Sequence, residues 1–473
     1  MDFFAVASQH QCVSDLFFGT DYHSHLGTQR GGMAVLGDGS IHRVIHDISN
    51  SQFRSKFEHD LPRFRGRTGI GVISDYDDQP VMIRSHLGTY AIVTVGAIQN
   101  IDRLAQHLLA ERRVHFAELS GGPVSPTELV AMLINQQESF AAGIEYAQSL
   151  IEGSCSLLLL TDDGIYAARD RYGRTPVVLG WRDGAYVATM ESSALPNLDY
   201  DVLRELGPGE IVRPTPDGVH QERGPNDELQ ICTFLWVYYG YPASSYEGIN
   251  TEQTRYRCGA ALARRDQVEV DMVAGIPDSG TAHAIGYANT AKIHYQRPFV
   301  KYTPTWPRSF MPQDQSIRDL VARMKLIPIR QMVEGQRILF CEDSIVRGTQ
   351  LKDIVQRLYD YGTTEVHMRP ACPPLLHGCP YLNFSRSRSL LDLATRRTIV
   401  EMEGTDDRHL EEFADPDSDR YHGMVDRIRR RLKLTTLTYQ RLDDLVEAVG
   451  LPKSKLCTHC WDGCTGCAKS AAK

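Results

Sequence analysis

The stretch Ile338-Leu-Phe-Cys-Glu-Asp-Ser-Ile-Val-Arg-Gly-Thr349 decides the fold of the second half of this chain. Its first four residues are apolar, as in a buried strand. The turn from Ser344 to Thr349 contains Gly348, which lets the backbone approach a ligand closely. Amides at the start of the following helix point at such a turn, and the helix dipole favours an anion there. The stretch therefore predicts a strand, a phosphate-binding turn and a helix.

Two adjacent carboxylates, Glu342 and Asp343, lie between the predicted strand and this turn. Open α/β sheets bind ligands at the carboxyl ends of their strands. Carboxylates in this place can accept hydrogen bonds from ribose hydroxyls and can help to hold Mg²⁺ through oxygen ligands. An acidic pair alone has little specificity, because polar turns often follow strands. The twelve-residue string is far more specific.

The pattern around this stretch predicts two kinds of sheet. From about residue 230 to residue 385 strands alternate with helices, which implies parallel βαβ units. Residues from about 12 to 225 are instead rich in short apolar runs bounded by Gly or Asp, such as 69–73, 90–95 and 156–161. Two helices are predicted between these runs, near 102–112 and 126–149. The chain therefore has at least two domains.

Composition excludes several classes of protein. The chain has 473 residues, of which 42% are hydrophobic and 23% charged, with a net charge of −8. This balance argues against nucleic-acid binding, which usually requires a basic face. Apolar runs are too short to cross a bilayer, and residues 1–11 lack the basic start and apolar segment of a secretory signal. We therefore predict a cytoplasmic protein with neither nucleic-acid nor membrane partners.

Several stretches resemble one enzyme family in the same order. The string 338–349 is similar to the phosphoribosyl-diphosphate (PRPP) motif of type I phosphoribosyltransferases, and its Ser-Ile-Val-Arg-Gly-Thr form is that of the glutamine PRPP amidotransferases. Further stretches resemble the same family, namely 170–180, 190–194, 207–212, 275–280, 323–326 and 333–337. The resemblance covers nearly the whole chain and is weakest from 385 to 450.

This resemblance implies a fold and a reaction. The fold is an N-terminal αββα amidotransferase layer of the Ntn-hydrolase type, followed by a type I phosphoribosyltransferase α/β domain. The implied boundaries are a leader at 1–11, the amidotransferase domain at 12–225, the transferase domain at 226–385 and a C-terminal segment at 386–473. The implied reaction forms 5-phosphoribosylamine from PRPP with nitrogen from glutamine or ammonia, as in purine biosynthesis, by a homo-oligomer.

The resemblance also implies the PRPP contacts. Ser279, Glu342 and Asp343 would bind Mg-PRPP and its Mg²⁺; the family usually has Asp where Glu342 stands, and both are carboxylates. Lys301 and Arg308 occupy a segment similar to the loop that covers pyrophosphate, although residues 302–306 depart from the family pattern. Residues that would bind the 5′-phosphate or the diphosphate are Ser344, Ile345, Val346, Arg347, Gly348, Thr349 and Lys325.

The resemblance makes Cys12 the candidate nucleophile. In amidotransferases of this type a leader is removed, and the new terminal cysteine attacks the glutamine amide with its own freed α-amine as base. Gly96 would supply part of the oxyanion hole. The alternative is that Cys12 is a buried small residue.

The rest of the glutaminase shell departs from the family pattern. Ser74 occupies the place of the arginine that clamps the substrate carboxylate, Val95 that of the oxyanion-hole asparagine, and Pro126 that of an aspartate. Losing one oxyanion donor costs about 3–4 kcal/mol of barrier in other enzymes. The sequence therefore predicts that glutamine is used less well than ammonia, unless Arg30 or Arg84 has taken over these tasks.

Eleven cysteines are unevenly spread, and four of them fall in the last 17 residues. Taken alone, Cys457, Cys460, Cys464 and Cys467 suggest a local zinc or iron–sulfur site. The resemblance implies another set. Many members of the family carry a [4Fe–4S] cluster, and the positions that match its ligands are Cys232, Cys379, Cys457 and Cys460. We prefer this second set, which leaves Cys464 and Cys467 unexplained.

Two rivals to this interpretation stay open. One is a transferase of the same class that uses free ammonia or another nucleophile, with a degenerate glutaminase domain. The other is a non-catalytic PRPP sensor whose cluster reports redox state. An intact Glu342–Asp343 pair fits both, so only turnover separates them.

Overall fold

A computed structural model describes residues 2–25, 29–110, 116–117, 124–301, 326–382 and 389–464. Two antiparallel sheets form its first half. One has seven strands in the order β11-β9-β10-β1-β4-β2-β3, and the other has six in the order β13-β12-β8-β7-β6-β5. Their bounds are β1 Asp2–Ser8, β2 Arg30–Gly37, β3 Ser40–Asp47, β4 Thr68–Ser74, β5 Val81–Ser85, β6 Gly88–Val95, β7 Ser156–Thr161, β8 Gly164–Ala168, β9 Val178–Arg182, β10 Ala185–Thr189, β11 Asp201–Glu205, β12 Ile211–Thr215 and β13 Gly218–Arg223.

Successive side chains of β1 point to opposite faces of the seven-stranded sheet and show how the layers pack. Phe3, Ala5 and Ala7 belong to the core between the two sheets, together with residues of the second sheet such as Val93. Phe4 packs on the other face against a helix. A second core covers the outer face of the six-stranded sheet. This arrangement confirms the predicted αββα layers; the helices are Val13–Asp21, Phe53–Phe57, Ile101–Ala110, Pro126–Ile134 and Phe140–Leu150.

The predicted leader is part of the fold. Strand β1 lies at the centre of the seven-stranded sheet, between β10 and β4, and all seven of its residues are buried. It pairs along its length with both neighbours. Removing residues 1–11 would take out a central strand and open the core on both faces. We therefore correct the prediction of a removable leader.

A parallel sheet organises the second half. Its order is β17-β20-β21-β22, and the three contacts within it are all parallel. The predicted βαβ alternation is confirmed. The strands of this half are β14 Ile231–Cys232, β15 Ser245–Tyr246, β16 Ile249–Asn250, β17 Met272–Gly275, β18 Phe299–Lys301, β19 Leu326–Pro328, β20 Arg337–Glu342, β21 Glu365–Pro370, β22 Thr436–Leu437 and β23 Leu456–Cys457.

Residues after 385 complete this second half. Strand β22 is the edge of the parallel sheet, and Ile399, Met424 and Ile428 belong to the same core as Phe340 of β20. The helices are Thr251–Arg264, Gly280–Ala291, Arg330–Val333, Thr349–Asp360, Ala394–Glu403, Leu410–Ala414, Asp419–Arg431, Leu442–Val449 and His459–Asp462. Among the described residues, no helix is long and apolar enough to cross a membrane.

Candidate active site and cysteine cluster

The acidic pair lies at the carboxyl end of β20, as the sequence predicted. Glu342 is the last residue of the strand, and Asp343 is 6% exposed. The Ser279 hydroxyl donates to Glu342 Oε1 at 3.3 Å, and the Ser344 hydroxyl donates to Asp343. Ser279 immediately precedes the helix Gly280–Ala291, which follows the neighbouring strand β17. The structure thus brings the three predicted Mg-PRPP residues together at one edge of the sheet.

Electrostatics at this edge favour a cation. Burial and then the negative charge of Asp343 raise the pKa of Glu342 well above its ordinary range. Burial also raises the pKa of Asp343. Two adjacent carboxylates that are costly to ionise together gain most from a divalent ion or from hydroxyl donors.

The turn after the pair has the predicted shape. Gly348 has a φ of 73°, which favours glycine, and it caps the helix Thr349–Asp360. Arg347 is exposed and pairs with Asp392 at 3.2 Å, whereas Ile345 is buried. The Val346 carbonyl accepts from the Ala394 amide at 2.8 Å, which ties the turn to the start of the helix Ala394–Glu403. The helix Thr349–Asp360 starts directly after this turn, and the free amides of a helix start are a place where an anion can be bound.

One of the predicted diphosphate contacts lies within the described residues. The Lys301 ammonium, at the end of β18, lies 2.5 Å from Asp278 Oδ2, one residue before Ser279. Its charge is therefore beside the acidic site. Arg308 and Lys325 lie outside the described residues.

The four cysteines that the resemblance implied converge from three segments. Cys232 and Cys457 are register partners in the parallel pair β14–β23. Cys460 follows on the next helix, and its carbonyl accepts from the Leu376 and His377 amides, just before Cys379. Cys379 is hydrogen-bonded to Cys460, which lowers the pKa of its thiol to about 7. Cys464, by contrast, is exposed, and Cys467 lies outside the described residues.

A buried cation faces these cysteines. Arg174 is 2% exposed, its guanidinium stacks on Tyr381 at 3.6 Å, and its carbonyl accepts from the Cys232 amide. Its Nε and Nη1 find no hydrogen-bond acceptor among the described residues. Two buried guanidinium nitrogens without an acceptor fit a nearby anionic group.

Within the part of the chain that the structure describes, no three Cys, His, Asp or Glu side chains could hold one metal ion. A [4Fe–4S] cluster differs from a single ion in this respect, because each of its thiolates binds a different iron.

The glutaminase-shell positions offer little to a substrate. Ser74 is buried, and Val95 is an apolar side chain in the core. Arg30 is engaged by Asp47 at 2.5 Å and Asp78 at 2.8 Å. Arg84 is exposed on β5, an edge strand of the six-stranded sheet. Ser74, Arg30 and Arg84 are therefore not arranged to bind the carboxylate of a glutamine substrate.

Gly96 has a backbone conformation that favours glycine, and its loop packs tightly against the backbone of Ser154. Its φ is 138°, and a Cβ there would lie 2.0 Å from the Ser154 carbonyl oxygen. The next amide, that of Ala97, donates to the Tyr381 carbonyl at 2.9 Å. This loop of the first half therefore contacts the loop of Cys379 directly.

Cys12 is not placed as a nucleophile, and we correct that prediction. It caps the helix Val13–Asp21, is fully buried, and its amide donates to the Gly66 carbonyl at 3.0 Å. Burial and the charge of Asp15 raise the pKa of its thiol to about 12, so the reactive thiolate is disfavoured. The alternative reading, a buried small residue, is the one that the structure supports.

Two acidic residues escaped the sequence interpretation. Asp77 is buried and accepts from Ser125 and Thr127 at the start of the helix Pro126–Ile134. Asp2, the first residue of β1, is 1% exposed and lies 3.7 Å from His23. The available signal was the apolar run of residues 3–7, which indicates a buried strand opened by a carboxylate.

Asp2 gives a pH-dependent stability that can be measured. Burial and then the charge of Glu191 raise its pKa well above the ordinary value, so the folded state retains a proton that the unfolded chain loses near pH 4. Stability must then fall as pH rises from about 4 towards the folded pKa. We expect Asp2→Asn to be more stable than the parent at pH 7 and equal to it at pH 3.

Urea unfolding from pH 3 to pH 8 checks this expectation, with Asp183→Asn, in an exposed turn of the same sheet, as the control. A difference between Asp2→Asn and parent that stays constant with pH would contradict it.

The comparisons with known proteins agree with this geometry. A profile described as a glutamine amidotransferase domain matches residues 66–197. An amidophosphoribosyltransferase of Bacillus subtilis is 29% identical, over 94% of this chain and 89% of its own length, and one of Synechococcus elongatus is 32% identical over 82% and 81%. The solved glutamine PRPP amidotransferase of B. subtilis, complexed with ADP and GMP, superposes with a TM-score of 0.84 at 26% identity, covering 98% of this chain and 96% of that one.

Proposed function

The chain belongs to the amidophosphoribosyltransferase family, and we propose that it forms 5-phosphoribosylamine by replacing the pyrophosphate of PRPP with ammonia at ribose C1. One observation carries the proposal: Ser279, Glu342 and Asp343 meet at the carboxyl end of β20, beside a turn and helix start shaped for a phosphate. This constellation has the groups for a ribose, a divalent ion and a 5′-phosphate in one place.

Each part of the constellation has its own task. The helix start at Thr349 holds the 5′-phosphate and fixes the position of the ribose. Glu342 and Asp343 accept from the ribose hydroxyls and would hold Mg²⁺, which supplies neutralisation of the leaving pyrophosphate when bound. Their negative charge also favours the developing oxocarbenium ion. Lys301 lies beside the leaving group's expected position through its contact with Asp278.

We further propose that Cys232, Cys379, Cys457 and Cys460 hold a [4Fe–4S] cluster. The support is their convergence from three segments and the orphaned guanidinium nitrogens of Arg174 beside them. The soft thiolates suit iron–sulfur ligation. The predicted homo-oligomer and cytoplasmic location stay predictions.

Pyrophosphate release tests the function. We expect the full-length protein to release pyrophosphate from PRPP in the presence of Mg²⁺ and ammonium at pH 8, where part of the ammonium is free ammonia. Omitting ammonium should reduce the rate at least tenfold, and chelating Mg²⁺ should abolish it. Calorimetric binding of PRPP without any release under these conditions would instead favour the non-catalytic sensor.

A further inference from the structure

The two ends of β1 lie on opposite sides of the first half of the molecule. Its seven residues span about 20 Å at the usual rise of a strand. Cys12 lies beyond the Ser8 end, where its amide binds Gly66 just before β4 begins. Asp2 lies at the other end and pairs with Ile73, next to Ser74. Any group acting on the surroundings of Ser74 must therefore come from the Asp2 end.

The remaining shell positions also lie at the Asp2 end. Arg30 is the register partner of Ser74. The carbonyl of Gln79 lies against Gly32, and its side-chain oxygen accepts from the Thr94 amide at 2.8 Å, two residues before Gly96. The family positions for the carboxylate clamp and the oxyanion hole therefore gather around residue 2 and not around Cys12.

A closed polar cluster surrounds residue 2. The imidazole of His23 is fully buried; its Nδ1 donates to the Gly19 carbonyl at 2.7 Å, and its Nε2 lies 2.9 Å from the Thr189 hydroxyl and 3.7 Å from Asp2 Oδ2. That last distance would allow an ion pair. We assign a neutral pair instead, because burial lowers the pKa of His23 to about 4 and raises that of Asp2.

The third member of the cluster joins the two halves of the molecule. The Glu191 carboxylate accepts from the hydroxyls of Ser244 and, at 3.0 Å, Tyr246, both of which lie in the second half. His25 lies 3.9 Å from it. Burial raises the pKa of Glu191, but the hydrogen bonds of His25 and Ser244 outweigh burial and leave the pKa below its ordinary value. Ser244, Tyr246 and His25 thus stabilise the negative charge of Glu191.

We propose that Asp2 stands at the position from which the amidotransferase nucleophile would act, and that the Asp2–His23–Glu191 cluster has replaced glutamine hydrolysis with a structural joint between the two halves. Hydrolysis of the amide requires a thiolate or hydroxyl to attack its carbon, with ammonia as leaving group. Asp2 offers neither a thiol nor a hydroxyl for this attack, and because it is only 1% exposed, glutamine cannot reach it. The nitrogen donor is then free ammonia, a conclusion that rests on the proposed transferase function.

Three assays on the full-length chain test this inference. We expect ammonium to support pyrophosphate release from PRPP with a kcat/KM at least 100-fold above that with glutamine. Glutamine alone should give no glutamate above the buffer rate. A glutamine analogue with a diazoketone side chain should label no cysteine, as read by peptide mass.

Cys12→Ala and Cys155→Ala are a matched pair, since both remove a buried thiol of the first half. Both should retain the parent's ammonium-dependent rate within twofold. Glutamate formation or labelling that Cys12→Ala alone abolishes would overturn the inference and restore Cys12 as nucleophile. Failure of the proposed function would look different, because ammonium would then release no pyrophosphate, while the glutamine and labelling assays would still decide the role of residue 2.

Discussion

Replacing Asp343 by asparagine should weaken Mg-PRPP binding at least tenfold and reduce ammonium-dependent turnover more strongly still. Asp343 is 6% exposed and receives the Ser344 hydroxyl beside Glu342, so its charge cannot be replaced by solvent. A lost hydrogen bond to a charged group costs about 1.5–3 kcal/mol. The loss should be greater in turnover, because the same charge stabilises the developing oxocarbenium ion.

Calorimetry with Mg²⁺ present, together with pyrophosphate release, checks this result. The matched control is Asp353→Asn, which removes the same charge from the exposed face of the helix Thr349–Asp360 and should bind PRPP as the parent does. The melting temperature of Asp343→Asn should not fall, because the substitution relieves repulsion within a buried acidic pair. Unchanged PRPP affinity in a folded variant would refute the assignment of the site.

The phosphate turn could be predicted from sequence because its physics is local. A strand, two carboxylates, a glycine with positive φ and a helix start occupy consecutive positions, and each restricts the others. Ser279 is different: it lies 63 residues before Glu342 and meets it only because β17 and β20 are parallel neighbours. The resemblance to the family, and not any local pattern, brought Ser279 into the predicted site.

The amidotransferase half was misread at its first strand. Residues 3–7 are continuously apolar because β1 is buried on both faces, between a helix and the second sheet. Such a strand lacks the alternation that marks a half-buried one. Cys12 is the first cysteine of the chain, and for this reason the resemblance to the family predicted it as the nucleophile. Only the strand register shows that Ser74 and Arg30 lie near Asp2 instead.

The two short strands of the C-terminal segment could not be predicted from the sequence. Strand β22 has two residues, Thr436 and Leu437, which is too short to carry any periodicity. Strand β23 also has two residues, and its pairing with β14 crosses more than 200 positions. Because pairing of this kind depends on the assembled fold, the resemblance could give the cysteine set but not the geometry that unites it.

The strongest effect on the isolated protein should come from the cysteines. Anaerobic purification should give a brown protein with about four irons per chain. Cys232→Ser and Cys379→Ser should each abolish the colour and the iron, because each removes one of the converging ligands, and each variant should melt at a lower temperature because the cluster ties β14 and β23 to the loop of Cys379.

Cys464→Ser is the control for this series. Cys464 is exposed, whereas Cys232 and Cys457 are buried and Cys379 and Cys460 are partly buried, so its variant should keep the parent's iron content and visible absorbance. Iron analysis and absorbance spectra of proteins purified in parallel decide between the two ligand sets without reference to activity. If Cys464→Ser loses the metal while Cys232→Ser retains it, the local C-terminal site is the correct one. Zinc in place of iron would refute the proposed cluster. Loss of iron in Cys232→Ser and Cys379→Ser alone would show that the metal site spans three segments of the second half, beside Arg174 of the first.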